Sequence, residues 1–257
     1  MKDMLQIANL YGGYLPGKSI IKDVTFSVKK GEMVGLIGLN GAGKSTTIKH
    51  ILGLMLPQQG SVLINGQSLE ENTEAYRKSY AFVPETPELY AELTVWEHLE
   101  LTAMAYNIPR DEFEQRAAHF MQEFRMENKK NSLSTQLSKG MKQKVMIMNA
   151  LLIQPSLYII DEPFLGLDPL AMRSLLETMD RLRQDGASFL ISSHILATIE
   201  SYCDRFVILH AGQVAAQGTL EELRQQASSS GGANLANKPM SLDDLFYYYI
   251  TREENRG

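Results

Sequence analysis

The chain of 257 residues holds one cysteine, Cys203, which excludes an internal disulfide and suits a reducing compartment. Cys203 itself reads as a small buried apolar residue rather than a nucleophile. Long hydrophobic runs are missing too. No stretch has the roughly eighteen consecutive apolar residues that a membrane-spanning helix needs. The start, Met1-Lys2-Asp3, leads into alternating residues without the zones of a signal peptide. These absences predict a cytoplasmic protein that does not itself span a membrane. Basic charge is sparse: net charge is −5 and Lys and Arg are scattered, which argues against nucleic acid as a main partner. No internal repeat is visible. What is there is an apolar fraction of 44%, enough for the core of one large α/β unit or two small ones.

The stretch that organises the chain is Gly38-Leu39-Asn40-Gly41-Ala42-Gly43-Lys44-Ser45-Thr46. An apolar run, Met33 to Ile37, precedes it and predicts a buried strand. Ile48, Ile51 and Leu52 follow it at helical spacing. Strand, glycine loop and helix form the context in which Gly-x-x-x-x-Gly-Lys-Ser means a phosphate-binding P-loop. Glycines allow successive N–H groups to turn inward around a phosphate, and the positive helix end adds to that field. Lys44 offers a cation to the β- and γ-phosphates, and Ser45 a hydroxyl to Mg²⁺.

Residues 4–10 and 20–28 read as half-buried strands, with Val24, Phe26 and Val28 alternating against Thr25 and Ser27. Between them lies a turn-rich loop carrying Tyr11 and Tyr14. Ser61 to Ile64 with the turn Asn65-Gly66 reads as a hairpin edge. Tyr80 to Val83 is a further strand. From about Leu93 to Ala150 the pattern is helical, starting at Thr94-Val95-Trp96-Glu97 and interrupted near Asn107-Ile108-Pro109 and from Lys129 to Ser134. Strands return at Leu157–Ile160, Ala187–Ile191 and Arg205–Leu209, with helices between, which implies parallel sheet. Residues 227–237 are polar and read as a flexible linker. Ser241-Leu242-Asp243-Asp244 then caps a last helix rich in aromatics, expected to pack on its own domain, with a regulatory or partner-contact role as the alternative.

The second chemical station is Leu157-Tyr158-Ile159-Ile160-Asp161-Glu162. Two carboxylates sit at the C-terminal end of a buried strand, the edge where open parallel sheets bind ligands. Asp161 would hold Mg²⁺, directly or through water. Glu162 would polarise the attacking water as general base. A small-molecule P-loop kinase is the rival at this point, although it would not require the terminal Asp-Glu pair.

The order of further motifs resembles the ATP-binding-cassette (ABC) ATPases. Leu137-Ser138-Lys139-Gly140-Met141-Lys142-Gln143 is similar to the signature motif of that family, Gly166-Leu167-Asp168-Pro169 to its D-loop, and Ser192-Ser193-His194 to its switch histidine. Tyr14 stands where an aromatic stacks on adenine, with Tyr11 the weaker candidate by spacing. The resemblance covers roughly residues 4–220. It implies an α/β fold: a P-loop NTPase (RecA-like) core with an antiparallel β subdomain and an inserted all-helical subdomain. Residues 1–226 would be the ATPase domain, with the insertion over about 86–150, and 227–257 the linker and C-terminal helix. The cofactors implied are ATP and Mg²⁺. Two subunits, a homodimer being the simpler arrangement, would sandwich two nucleotides. Ser138, Lys139, Gly140 and Met141 would close on the partner's nucleotide, with Asp168 at the interface and His194 at the γ-phosphate.

Two departures from the family pattern stand out. Lys139-Gly140-Met141 replaces Gly-Gly-Gln, and Glu85 occupies the place of a glutamine that touches Mg²⁺ and water. Glu85 keeps an oxygen ligand and adds a negative charge. The resemblance further implies an integral membrane permease as partner, received in a groove lined by Leu89, Tyr90, Leu93, Trp96 and Leu99, and attachment to the inner face of the cell membrane. For Trp96, plain core packing is the equal alternative. The Ser-Lys-Gly-Met signature and the C-terminal Ser-Leu-Asp-Asp-Leu-Phe resemble bacterial exporter-type ATPases, among which Val83-Pro84-Glu85-Thr86-Pro87 with Leu89-Tyr90 looks closest to the Ecs-type. A soluble ABC ATPase acting in macromolecular or cofactor assembly is the rival from another class.

Overall fold

The computed structural model describes residues 3–15, 17–229 and 239–254. In chain order the elements are β1 Asp3–Gly12, β2 Ile21–Lys29, β3 Met33–Ile37, α1 Lys44–Ile51, β4 Gln59–Ile64, α2 Thr73–Lys78, β5 Tyr80–Val83, α3 Val95–Ala105 and α4 Arg110–Glu123. There follow α5 Lys139–Ile153, β6 Leu157–Asp161, α6 Pro169–Gln184, β7 Ser188–Ser192, α7 Leu196–Glu200, β8 Arg205–His210, β9 Gln213–Gly218, α8 Leu220–Ser229 and α9 Leu242–Glu254. Two sheets form. The smaller is antiparallel in the order β2-β1-β4, and the larger runs β5-β6-β7-β3-β8-β9, parallel except for its last pair. No described helix is long and apolar enough to cross a membrane.

Burial explains why the strands of the larger sheet read as unbroken apolar runs. All five residues of β3, β6 and β7 are buried, as expected for parallel strands covered on both faces. Successive side chains then point to opposite layers. Along β6, Leu157 and Ile159 join a core shared with the antiparallel sheet and α1, while Tyr158 and Ile160 join the core that includes α3, α4 and α5. The Tyr158 ring stacks on Phe189 of β7 at 4.8 Å. A single strand thus bonds two hydrophobic layers together.

The helical region is built as its caps dictate. Thr94 and Glu97 form a reciprocal capping box at the start of α3. The expected break near Lys129 to Ser134 consists of two short 3₁₀ turns, Glu127–Lys129 and Ser134–Gln136. Trp96 turns inward: its ring lies 4.9 Å from that of Phe113, with the Lys130 ammonium 3.6 Å above it. Leu99 is fully buried. The groove between α3, α5 and β5 is lined instead by Tyr80, Phe82, Leu101, Tyr106 and Met146 together with Tyr90, the one of the five expected lining residues that faces it.

Elsewhere the structure departs from the sequence pattern for local reasons. The turn Asn65-Gly66 forms, both residues having positive φ, but it closes only a single bridge, Ile64 to Gln67. The partner of β4 is β1, far back in the chain. Strand β1 runs on to Gly12 because Asn9, at φ 46, absorbs an irregularity in its pairing. Of the expected linker, residues 227–229 belong to α8, and 230–237 lie outside the described residues. Strand β9 and helix α2 escape the periodicity reading because both are short and largely polar on their outer faces.

Phe113→Ala empties the socket beneath the chain's one tryptophan. Deleting such a buried ring costs about 3–5 kcal/mol. Urea unfolding followed by Trp96 fluorescence should show a lower midpoint and a red-shifted native emission.

Candidate active site

Four segments that are distant in sequence end at one edge of the parallel sheet. The P-loop follows β3, the carboxylates close β6, Ser193-His194 follows β7, and Glu85 lies just past β5. Parallel strands aim all their C-terminal ends the same way, and β3 stands where the strand order switches direction. The cleft they enclose has a volume of about 820 Å³, of the size that takes a ligand of several hundred daltons.

The loop itself is held open by its own backbone. Gly41 and Gly43 have φ of 82° and 107°, a region that side chains rarely tolerate. At Gly38 the constraint is space: an added Cβ would stand 2.6 Å from the Leu209 carbonyl and 2.9 Å from the Ala42 Cβ. Lys44 is buried, and its ammonium donates to the carbonyls of Gly38 (2.7 Å) and Leu39 (3.4 Å). Gly38, Leu39, Asn40, Gly41, Gly43, Lys44, Ser45 and Thr46 all line the cleft. Ala42 does not: it is buried beneath the loop, where its carbonyl accepts from Gly212 N–H at 3.0 Å.

Across from the loop, Asp161 and Glu162 are both buried at their bases and reach the cleft. Ser192 Oγ donates to Asp161 Oδ1. Burial pushes the Asp161 carboxyl above the usual carboxylate range, the Ser192 hydroxyl and Lys44 oppose that shift, and the negative charge of Glu85 adds to it. Glu162 adopts φ 48, a left-handed backbone that costs a non-glycine residue about 1–3 kcal/mol. The surroundings over-determine it. Glu162 N–H donates to Ser192 O (3.1 Å) and Oγ (3.2 Å), and its Oε2 accepts from His194 N–H (3.1 Å) and faces His194 Nδ1 (2.7 Å).

Tyr14 also lines the cleft, 59% exposed, with Lys49 Nζ donating to its hydroxyl at 3.1 Å. That bond holds the Tyr14 pKa below its usual value. Tyr11 lies in β1, paired with β4, and is not part of the cleft. None of Ser138, Lys139, Gly140, Met141 and Asp168 lines it either. Ser138 caps α5 by accepting from Met141 N–H (3.3 Å), and Asp168 caps α6 while pairing with Lys144 at 2.9 Å. The hydrogen bond from Lys144, then that from Ala171 N–H, holds the Asp168 carboxyl below its usual range. Gly140 sits against the D-loop so closely that a Cβ would meet the Gly166 carbonyl at 2.2 Å.

Three contributions were not legible from motifs. Gln143, fully buried in α5, donates to the Pro84 carbonyl at 3.3 Å and so ties the signature helix to the segment carrying Glu85. Leu196 of α7 lines the cleft beyond His194. Asp243 and Phe246 of α9 do as well. The amphipathic pattern of α9 announced a packed helix, but nothing local said against what.

The ABC transporter family profile matches residues 21–165 of this chain. The chain belongs to the ABC transporter ATP-binding family. It is 53% identical over 251 residues to the ABC-type transporter ATP-binding protein EcsA of Bacillus subtilis, covering 98% of each chain. It is 39% identical over 247 residues to YthP, an uncharacterised ABC transporter ATP-binding protein of the same organism, covering 96% of this chain and 97% of that one. A solved ATP-binding subunit of an ABC transporter superposes with a TM-score of 0.89 at 54% identity, over 96% of this chain and 99% of the other. A dimeric cassette in a post-hydrolysis state, bound to ADP and Pi, gives 0.76 at 26% identity over 84% of this chain and 98% of that one. This ABC protein is the ATP-binding subunit of a transporter and an ATPase, which sets aside the soluble assembly factor and the metabolite kinase.

Gly38→Ala in this ABC subunit drives a methyl into backbone. The strain of about 1–3 kcal/mol should weaken ATP binding by roughly tenfold or more, read by fluorescent-nucleotide titration, with the far-ultraviolet circular dichroism unchanged.

Proposed function

We propose that the cleft hydrolyses ATP with Glu162 as general base and His194 as the group that orients it. The observation that carries this reading is the fixed Glu162 carboxylate. It is buried at its base, held at Oε2 by both the backbone N–H and the ring Nδ1 of His194, and lines the same cleft as the P-loop. A carboxylate in that position can take a proton from a water attacking the γ-phosphate. The P-loop N–H groups and Lys44 would cradle the phosphates, Ser45 and Thr46 would begin the positive end of α1 beneath them, and Tyr14 would stack on the adenine.

The donor set fits Mg²⁺. Ser45 presents an exposed hydroxyl, and Asp161 and Glu85 present carboxylate oxygens to the same cleft. Among the described residues no cluster of three or more acidic, histidine or cysteine side chains could cage a metal. Few protein oxygens suit Mg²⁺, which keeps several waters and shares nucleotide phosphates. Bound there, it would neutralise charge on the β- and γ-phosphates. A positive ion there would also oppose the upward shift of the Asp161 carboxyl, because an adjacent cation favours the anion. Glu85 adds a further negative charge at this point and retunes the coupling between nucleotide and partner.

The signature residues Ser138, Lys139, Gly140 and Met141, at the start of α5, do not line their own cleft. That placement suits closure over the nucleotide of a second copy, with Asp168 at the interface. The membrane partner would insert into the groove beside Tyr90 and Met146, where Met104, 71% exposed, extends the apolar surface of α3. This arrangement attaches the protein to the inner face of the cell membrane through an integral permease.

Glu162→Gln should lower turnover by roughly two to four orders of magnitude, the range for losing a general base, while ATP still binds. Near-normal phosphate release by the purified variant would remove Glu162 from that role. Glu85→Gln should change the ratio of partner-stimulated to basal ATPase in reconstituted membranes, and an unchanged ratio would show that Glu85 has no part in coupling.

A further inference from the structure

Asp243 and Phe246 belong to none of the motifs, yet both wall the ATP cleft on the side of His194 and Leu196. The helix that brings them is firmly seated. Leu242, Leu245, Tyr249 and Ile250 of α9 are buried. Leu242 N–H donates to Glu200 Oε2 at 2.8 Å, and the Tyr249 hydroxyl donates to the Leu223 carbonyl at 2.8 Å. Glu200 closes α7, whose first residue, Leu196, lies two positions after His194. Helix α9 therefore rests on the segment that leads out of the switch histidine.

The start of α9 is set by a capping box in which Ser241 N–H donates to Asp244 Oδ2 (2.9 Å) and Asp244 N–H to Ser241 Oγ (3.2 Å). Asp244 is thereby occupied with the cap, and Asp243 is left to point outward. It is exposed, and among the described residues no cation pairs with it. Phe246, half-buried and three residues on, shares its face of the helix. Two of the other cleft carboxylates have compensating neighbours: Glu162 faces His194, and Asp161 has Ser192 and Lys44. Asp243 has none.

We propose that the first turn of α9 forms the outer wall of the ATP cleft and that Asp243 is a specificity-determining residue, opposing polyphosphate charge. It acts through space on bound nucleotide, repelling ATP more than ADP, and sets the cleft's affinity below what the P-loop alone would give. The inference rests on the assignment of the cleft to ATP. An exposed charge acting across solvent on a polyanion is a modest effect, about two- to fivefold in affinity at low salt, and is screened away as salt approaches 1 M.

The test is equilibrium titration of the full chain, wild type and Asp243→Asn, with ATP, ADP and uncharged adenosine at low and high salt. Asp243→Asn should bind ATP about two- to fivefold more tightly at low salt, gain less for ADP, leave adenosine unchanged, and lose its advantage at high salt. Equal ATP affinities in the two proteins would overturn the proposal. So would a gain equal for adenosine, since that reports altered packing rather than charge. Wild type failing to bind ATP at all would instead overturn the assignment of the cleft.

Discussion

The site depends on how the ends of two neighbouring strands are pinned together. Ser192, at the end of β7, donates its hydroxyl to Asp161 and receives the N–H of Glu162 on both its oxygens. That junction fixes the backbone of Glu162 at its left-handed φ of 48°. With it, β6 stops in register with β7, and Glu162, one residue past β6, faces His194, two residues past β7. The strain at Glu162 is local, and the parallel pairing along the whole of β6 and β7 offsets it.

Charge in the cleft is unbalanced by construction. Lys44 is set against Asp161, Glu162, Glu85 and Asp243, all of which line the same space. The rise in the Asp161 carboxyl's pKa is one consequence, since burial and the nearby Glu85 both disfavour its anion. Such a site gains most from ligands that carry positive charge in with them, and a nucleotide complexed with a hard divalent cation meets that description. The same excess explains why the P-loop's dipoles are needed: an anion is drawn in only where N–H groups and the lysine are concentrated.

The signature helix reaches several stations at once. Gln143 meets the segment before Glu85, Lys144 holds Asp168, and Gly140 lies against Gly166. Helix α5 thus touches both the segment carrying Glu85 and the loop that ends in Asp168. Gly140 has a packing role beyond any approach to phosphate, because only a residue without a Cβ clears the Gly166 carbonyl. The same helix forms one side of the groove proposed for the membrane partner and, through Gln143, reaches the Pro84 carbonyl next to Glu85 of the cleft.

The amino-acid sequence by itself determined the chemistry. A glycine loop between an apolar strand and a helix, and an Asp-Glu pair ending another apolar run, are short-range patterns whose physics is local: φ freedom, helix dipoles and buried parallel strands. They were legible because each motif carries its own context within about a dozen residues. Tyr14 was separable from Tyr11 by spacing, and Tyr14 is the one of the two that lines the cleft. Orientation and distant partnership were not legible. Trp96 turned toward Phe113 rather than the groove, Ala42 under the loop rather than into the cleft, and β4 paired with β1 rather than with the segment after its turn. Only the tertiary structure could bring α9 to the nucleotide cleft. A helix's own sequence sets which face is apolar, while the surface that covers that face is chosen by packing against elements far away in the chain.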